Sequence, residues 1–444
     1  MRRTSEAARV ATAVIAVAVG TAAFAIAFRS LLAATYLKLF GAANVVEAIT
    51  RLPWWLRLLV PIAGGFAAGL VSLIRRASQN VSNVMEAVVL GNVQLSLRTT
   101  VRRVSSSWLA IASGLSIGRE GPLIEFGGSL GAAVGRVASL PLRRTRVLVA
   151  AGTAAGFAAA YNTPFAAVLF VLETIVGVAA LEAVVPTLAA TVIASALTRA
   201  SAGGGPIYGA RTFTAASPWQ FVSFIVLALI CAAAATGFKR VLALFETAFE
   251  HSALQQPFRA AIGGAIVGLV ALGLPQVAGN GYEPLNRLLD GSIGVNLLLA
   301  LLVGKIVATS GSVASGVPGG VFTPVLLTGG ITGALWAHFT HIWWAVPGDV
   351  GSYALVGMAA ATAASIHAPL TAAVLVFELS GDYAIVLPLL LVTAIATAAS
   401  RAMGALSVYE AELRRRGLGW RLTLEGREIA RDDREQDALV SDLH

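Results

Sequence analysis

The strongest constraint on the fold is an internal repeat. Gly118-Arg119-Glu120-Gly121-Pro122 is followed by glycines at 127, 128 and 131 and then Ala132. At an offset of 202, Gly320-Val321-Phe322-Thr323-Pro324 is followed by glycines at 329, 330 and 333 and then Ala334. A second block repeats at an offset of 205: Pro164 to Glu173 matches Pro369 to Glu378, nine residues from proline to glutamate in both copies. Two ordered matches at nearly one offset describe a duplicated chain. We expect a first half over 1–205, a second over 206–416, and a short charged tail over 417–444.

Both halves are too apolar for water. Hydrophobic residues make up 57% of the 444 and charged ones 12%, about half the charge that soluble domains carry. Mean hydropathy is +0.78. A globule of this composition has too few polar groups to cover its surface, which excludes an ordinary cytosolic enzyme, a disordered chain and a nucleic-acid binder. The net charge of +9 comes from arginines gathered at Arg2, Arg3 and Arg9, at Arg75 and Arg76, at Arg143, Arg144 and Arg146, and at Arg414 to Arg416. Long uncharged stretches separate them, the pattern of cytoplasmic loops between membrane helices. Basic residues at both ends predict that both termini are cytoplasmic and that full crossings are even in number. The sequence therefore reads as a multi-pass protein of the lipid bilayer, at the cell membrane.

Candidate helices include Val10–Phe28, Trp54–Ile74, Trp108–Ile117, Leu123–Val137, Val147–Ala160 and Pro164–Ala180 in the first half. The second half offers Phe221–Leu244, Val321–Trp336, Tyr353–Ser365 and Pro369–Ser380. Several fall short of the ~20 residues that cross a bilayer, and many carry glycine. Short, interrupted helices at membrane depth are tolerated where they pack in protein or line a watery path, and duplicated halves that carry them point to a transport site between the repeats.

The repeated blocks suggest what is transported. Proline is favoured in the first helical turn, so Pro122 and Pro324 mark helix starts. Glycines before each start let the backbone expose its N–H groups. Two such starts converging from the two halves aim free amides and about +0.5 charge each at one point. That arrangement suits a small anion, holding it without the tight grip of paired ammonium groups. Glu120 is an ionisable residue inside this apolar setting, which makes it a functional candidate. Its carboxylate can occupy the anion site as a tethered competitor.

Gly118–Pro122 and Gly320–Pro324 resemble two of the three signature segments of the CLC family of chloride channels and chloride/proton antiporters, in its bacterial type without a cytoplasmic regulatory domain. The resemblance covers the membrane region in order, spacing and repeat. It implies an all-α fold of many short tilted helices in two inverted halves, and a homodimer with one pore per subunit. The Pro164–Ala180 and Pro369–Ser380 helices would then contribute to the dimer interface. It also implies chloride as the transported ligand with no cofactor, and Glu120 as gate and outer proton carrier. Tyr409, and Val321 and Phe322 through their backbone amides, are the implied anion ligands.

Two departures stand out. The third signature is Gly-Ser-Gly-Ile-Pro in the family, and its counterpart here is Ser78-Gln79-Asn80-Val81-Ser82. Gln79 replaces the anion-touching serine; its amide can donate but is bulkier. The inner acid of the family's exchangers falls on Thr174, which cannot titrate, while Glu173 lies about 100° away around a helix and reads as structural. The expectation is a channel-like or weakly proton-coupled anion pathway, with chloride/proton antiport as the alternative. Cys231 reads as a small buried hydrophobe. His338 and His341 lack acidic or cysteine companions, so no metal site is expected. No catalytic motif is present, so no enzyme is expected.

Overall fold

Alanine, leucine and glycine dominate the apolar stretches, and inside a bilayer such stretches must satisfy every backbone N–H and C=O internally, which selects helices. The computed structural model describes residues 2–73, 81–89, 95–176, 181–209, 218–343, 349–415, 418–423 and 426–431. The first half contains α1 (Arg2–Phe40), α2 (Val45–Arg51), α3 (Trp54–Leu73), α4 (Val81–Val89), α5 (Leu97–Ala112), α6 (Glu120–Val137), α7 (Leu142–Tyr161), α8 (Pro164–Phe170) and α9 (Leu181–Ala202). The second contains α10 (Pro218–Glu250), α11 (Gln256–Gly273), α12 (Tyr282–Leu289), α13 (Val295–Ala314), α14 (Phe322–Trp343), α15 (Val350–Ile366), α16 (Pro369–Ser380), α17 (Val386–Ala402) and α18 (Val408–Arg414). Among the described residues, seven helices are long and apolar enough to cross a membrane.

The membrane body is all-helical, as expected. Beyond it, Leu418–Thr423 and Gly426–Arg431 form a two-stranded antiparallel hairpin within the charged tail. The sequence also places the fifth helix too late. Helix α5 begins at Leu97, and 113–117 is a turn. The stretch Leu97 to Ser107 carries three arginines and several hydroxyls, which hid an amphipathic helix from a search for apolar runs.

The repeat is visible in local geometry. Helices α5 and α13 both end in a serine followed by a left-handed glycine, Gly114 at φ 96° and Gly316 at φ 83°, 202 positions apart. That turn sends the chain into the two glycine-rich segments. Helices α7 and α15 both end in a left-handed residue, Asn162 at φ 58° and His367 at φ 54°.

Close backbone approach joins α6 to α7 and α14 to α15. A Cβ placed on Gly127 would strike the Gly152 carbonyl, and one on Gly131 the Leu148 carbonyl. In the second half, Gly329 and Gly333 meet the Gly357 and Tyr353 carbonyls in the same way. Small residues at such crossings let helices pack by van der Waals contact where lipid supplies no hydrophobic drive. Gly127→Val and Gly329→Val should each cost roughly 1–3 kcal/mol through overpacking, read as a lower midpoint of thermal unfolding in detergent. Gly237→Val is the control, since nothing lies within 4 Å of a Cβ there; equal losses at all three positions would contradict this account.

Candidate anion site

The two repeated segments meet through backbone. Gly118 N–H donates to the Gly320 carbonyl at 2.7 Å and Gly320 N–H donates to the Gly118 carbonyl at 3.0 Å. This bridge sets the starts of α6 and α14 side by side. Pro122 and Pro324 fall in the first turns of these helices, as the sequence predicts.

Glu120 lies across the junction and is 2% exposed. Its Oε1 accepts the N–H of Phe322 at 3.0 Å and of Thr323 at 3.3 Å, two of the orphan donors at the start of α14. Its Oε2 accepts the Thr323 hydroxyl at 3.1 Å. Because that hydroxyl spends its one proton on the carboxylate, the Tyr161 hydroxyl, 2.8 Å away, donates to Thr323 Oγ1. The carboxylate oxygens thus stand where a free anion would meet the same donors. Side chains on Gly118 or Gly320 would collide with this carboxylate, so both glycines are required by the cradle.

A cavity of about 350 Å³ adjoins the cradle. It is lined by Glu120, Gly320, Val321, Phe322 and Tyr409 and by the charged Arg103, Lys239, Arg240 and Arg415 together with Glu125, Glu246 and Glu412. Tyr409 sits in the first turn of α18, its ring 6.0 Å from Phe170. Phe170 stacks on Phe157 at 4.7 Å, which meets Phe322 edge-on at 5.4 Å. This aromatic cluster fixes the Phe322 backbone at the site. Glu120, Val321, Phe322, Thr323 and Tyr409 are therefore brought together.

Other predicted residues lie elsewhere. Arg119 places its guanidinium over the Tyr282 ring, 6.0 Å from the centroid, while Glu120 takes its hydrogen bonds from α14. Ser78, Gln79 and Asn80 lie outside the described residues. Val81 and Ser82 open α4, which packs against α6, α7 and α18. Thr174 is buried in a π-helical turn after α8 and donates to the Phe170 carbonyl. Glu173 accepts the Leu370 and Thr371 N–H groups at 3.1 and 2.6 Å and the Thr371 hydroxyl at 2.6 Å. Glu378 returns the contact to Phe165 and Ala166 at 3.1 and 2.8 Å. Each repeat thus caps a helix of the other, and Glu173 is structural.

Sequence reading missed Tyr161 and a polar network beneath Tyr409. Lys239 Nζ donates to the Ala364 and Leu406 carbonyls at 3.0 and 2.8 Å and to Ser400 Oγ at 3.2 Å. His367 Nε2 lies 3.3 Å from Ser400 Oγ, and its Nδ1 lies 3.6 Å from Glu410 Oε2. Glu410 and Ser407 form a reciprocal cap on α18. Each of these residues is a single polar letter in an apolar or terminal stretch, and only the fold gathers them.

An inverted-repeat helical membrane body with an amide cradle between its halves defines a protein that moves small anions. The chain belongs to the voltage gated chloride channel family, whose model matches residues 63–401. It is 38% identical over 401 residues to a ClcB-like chloride channel protein of Ralstonia nicotianae, covering 88% of this chain and 93% of that one. It is 30% identical over 373 residues to the voltage-gated ClC-type chloride channel ClcB of Citrobacter koseri, covering 82% and 89%. Its fold matches that of a slow cyanobacterial Cl−/H+ antiporter at a TM-score of 0.83 and 23% identity, over 92% of this chain and 98% of the other.

The Glu410 carboxyl is held down to about 2, chiefly by its contact with His367. A depressed folded value stabilises the fold above the ordinary carboxylate value of 4.5. That contribution fades as pH falls below 4.5 and is lost through about 2. Glu410→Gln should therefore lower the unfolding midpoint at pH 4.5, and the difference should close as pH falls from 4.5 towards 2. A difference that persists unchanged in acid would contradict the linkage.

Proposed function

We propose that the protein conducts small inorganic anions, chloride first, through one pore per subunit of a homodimer, with Glu120 as its gate. The observation that carries this reading is the Glu120 carboxylate seated on Phe322 N, Thr323 N and Thr323 Oγ1. A free anion needs the same donors, so anion and carboxylate compete for one place. Val321 and Phe322 supply backbone to the site and Tyr409 its hydroxyl; Gln79, the family serine's counterpart in sequence, lies outside the described residues. The transported anion is the ligand, with no cofactor.

The half-buried Glu173 and Glu378 support the dimer. Both sit on an outer face that also exposes Phe165 and Leu370, and carboxylates turned to lipid are costly. A second subunit on this face removes that cost. The arginine clusters at the termini and between the apolar stretches favour cytoplasmic termini in a bacterial inner membrane.

Thr174 favours a channel-like or weakly proton-coupled pathway, because it donates to Phe170 and cannot titrate. The second reading is chloride/proton antiport. The hydroxyl chain from Tyr161 through Thr323 to Glu120 favours it, since such a chain can pass a proton to the gate.

Purified protein in chloride-loaded liposomes should release chloride once an ionophore collapses the opposing voltage, and Glu120→Gln should make release largely independent of external pH. The variant's amide does not titrate and carries no charge to compete for the anion. No release above empty liposomes would sink the transport reading; native pH dependence in the variant would move the gate elsewhere. A chloride gradient should move few or no protons uphill. Uphill proton movement at a fixed ratio to chloride would establish the antiporter instead.

A further inference from the structure

His367 occupies an unusual place. It caps α15 in a left-handed conformation, is 7% exposed, and is linked through Ser400 to Lys239, which lines the cavity. Its repeat counterpart is Asn162, which has the same conformation, donates Nδ2 to the Gly205 carbonyl and accepts from Arg199. Asparagine tolerates this backbone readily. The first half thus fills the position with a group that cannot titrate, and the second half fills it with imidazole.

Hydrogen accounting around the ring is informative. Lys239 offers three N–H donors and has three acceptors, the carbonyls of Ala364 and Leu406 and the hydroxyl of Ser400. Ser400 Oγ lies 2.8 Å from the Ala364 carbonyl and 3.3 Å from His367 Nε2. Its single proton can go to either. With the imidazole neutral, Nδ1–H faces Glu410 and Nε2 accepts from Ser400, while Ala364 keeps its bond from Lys239. With the imidazole protonated, Nε2–H donates to Ser400, which turns its proton to Ala364. Both states keep Nε2, Ser400 and Ala364 partnered while Nδ1 stays 3.6 Å from Glu410 Oε2, and the exchange needs only rotation of one hydroxyl.

We infer that His367 is a proton-accepting site at the cytoplasmic end of the anion path, and that its protonation tightens anion binding beside Tyr409. Three charged or titratable groups meet here: Lys239 from α10, Glu410 from α18 and His367 from α15. Helix α17 contributes the neutral Ser400, with Arg401 exposed beside it, and Glu378 of α16 is engaged with α8. Farther along the cavity wall, Arg415 is ion-paired with Glu246 and Glu412. With neutral His367, the Lys239 and Glu410 charges cancel. Protonation leaves one net positive charge behind a wall formed by Lys239, Leu406 and Tyr409. Glu410 adjoins Tyr409 in the chain and caps the same helix, so charge and hydroxyl are held in one rigid unit.

This inference rests on the proposed anion pathway and its sidedness, and the test separates the two. Chloride binding is measured by calorimetry in a Glu120→Gln background, which removes competition from the gate. Between about pH 7.5 and about pH 5.5, the range in which histidine ordinarily titrates, affinity should rise roughly three- to tenfold, as one added nearby charge in a partly buried site allows. His367→Asn, which suits the left-handed backbone, should hold affinity at the neutral-pH level throughout. His367→Arg should hold it at the acid level. If the asparagine variant does not fold, the arginine variant decides by the same criterion. An unchanged pH response in these variants overturns the role of His367 and leaves anion transport intact. Absence of chloride binding and of liposome flux in every form would overturn the pathway itself.

Discussion

Two hydrogen bonds between Gly118 and Gly320 hold the functional centre together. They join segments 202 residues apart and fix the starts of α6 and α14 at a common point. The close Gly127–Gly152 and Gly329–Gly357 approaches then hold each of those helices against its neighbour in its own half. An antiparallel pair of this kind is directional, so it sets orientation as well as distance. The N–H groups of Phe322 and Thr323 consequently face the side chain of Glu120 and not solvent. In a low-dielectric interior these partial charges act strongly, and they do so without a full cation that would trap its ligand.

Duplication supplies the symmetry and point differences supply the function. Where the repeats agree, the residues are structural: Gly114 with Gly316, Gly127 with Gly329, and Glu173 with Glu378, whose carboxylates cap helices across the repeat boundary. Where they differ, chemistry appears. Glu120 corresponds to Phe322, so one repeat provides the carboxylate and the other the amide that receives it. Asn162 corresponds to His367, and only the second can gain a charge. The Glu173–Glu378 agreement also shows where the glutamate next to Thr174 is engaged: its oxygens are committed to α16.

Much of this was legible in the sequence because it depends on spacing. Helix starts at Glu120 and Phe322, the structural role of Glu173, the membrane class and the gathering of Val321, Phe322 and Tyr409 follow from repeats, proline positions and family resemblance. Contacts between helices distant in the chain were not legible. Tyr161 ends an alanine-rich run, and no motif singles it out until α14 places Thr323 against it. Lys239, Ser400 and His367 belong to three helices, and no periodicity links them. Helix α5 was misplaced because its arginines and serines lowered its hydropathy, although its amphipathic face packs against α3 and α6.

The placement of the hydroxyls bears on how a carboxylate can act as a gate at all. A glutamate held by two amides and a hydroxyl is well satisfied, and a satisfied ion leaves only when something equally good replaces it. On the proposed gating reading a proton would favour the anion, because a neutral carboxyl gives up the strongest part of its attraction to the helix start. The Thr323 hydroxyl, itself bonded to Tyr161, touches Oε2, while the Phe322 and Thr323 amides bind Oε1, so the two oxygens of Glu120 meet donors of different kinds.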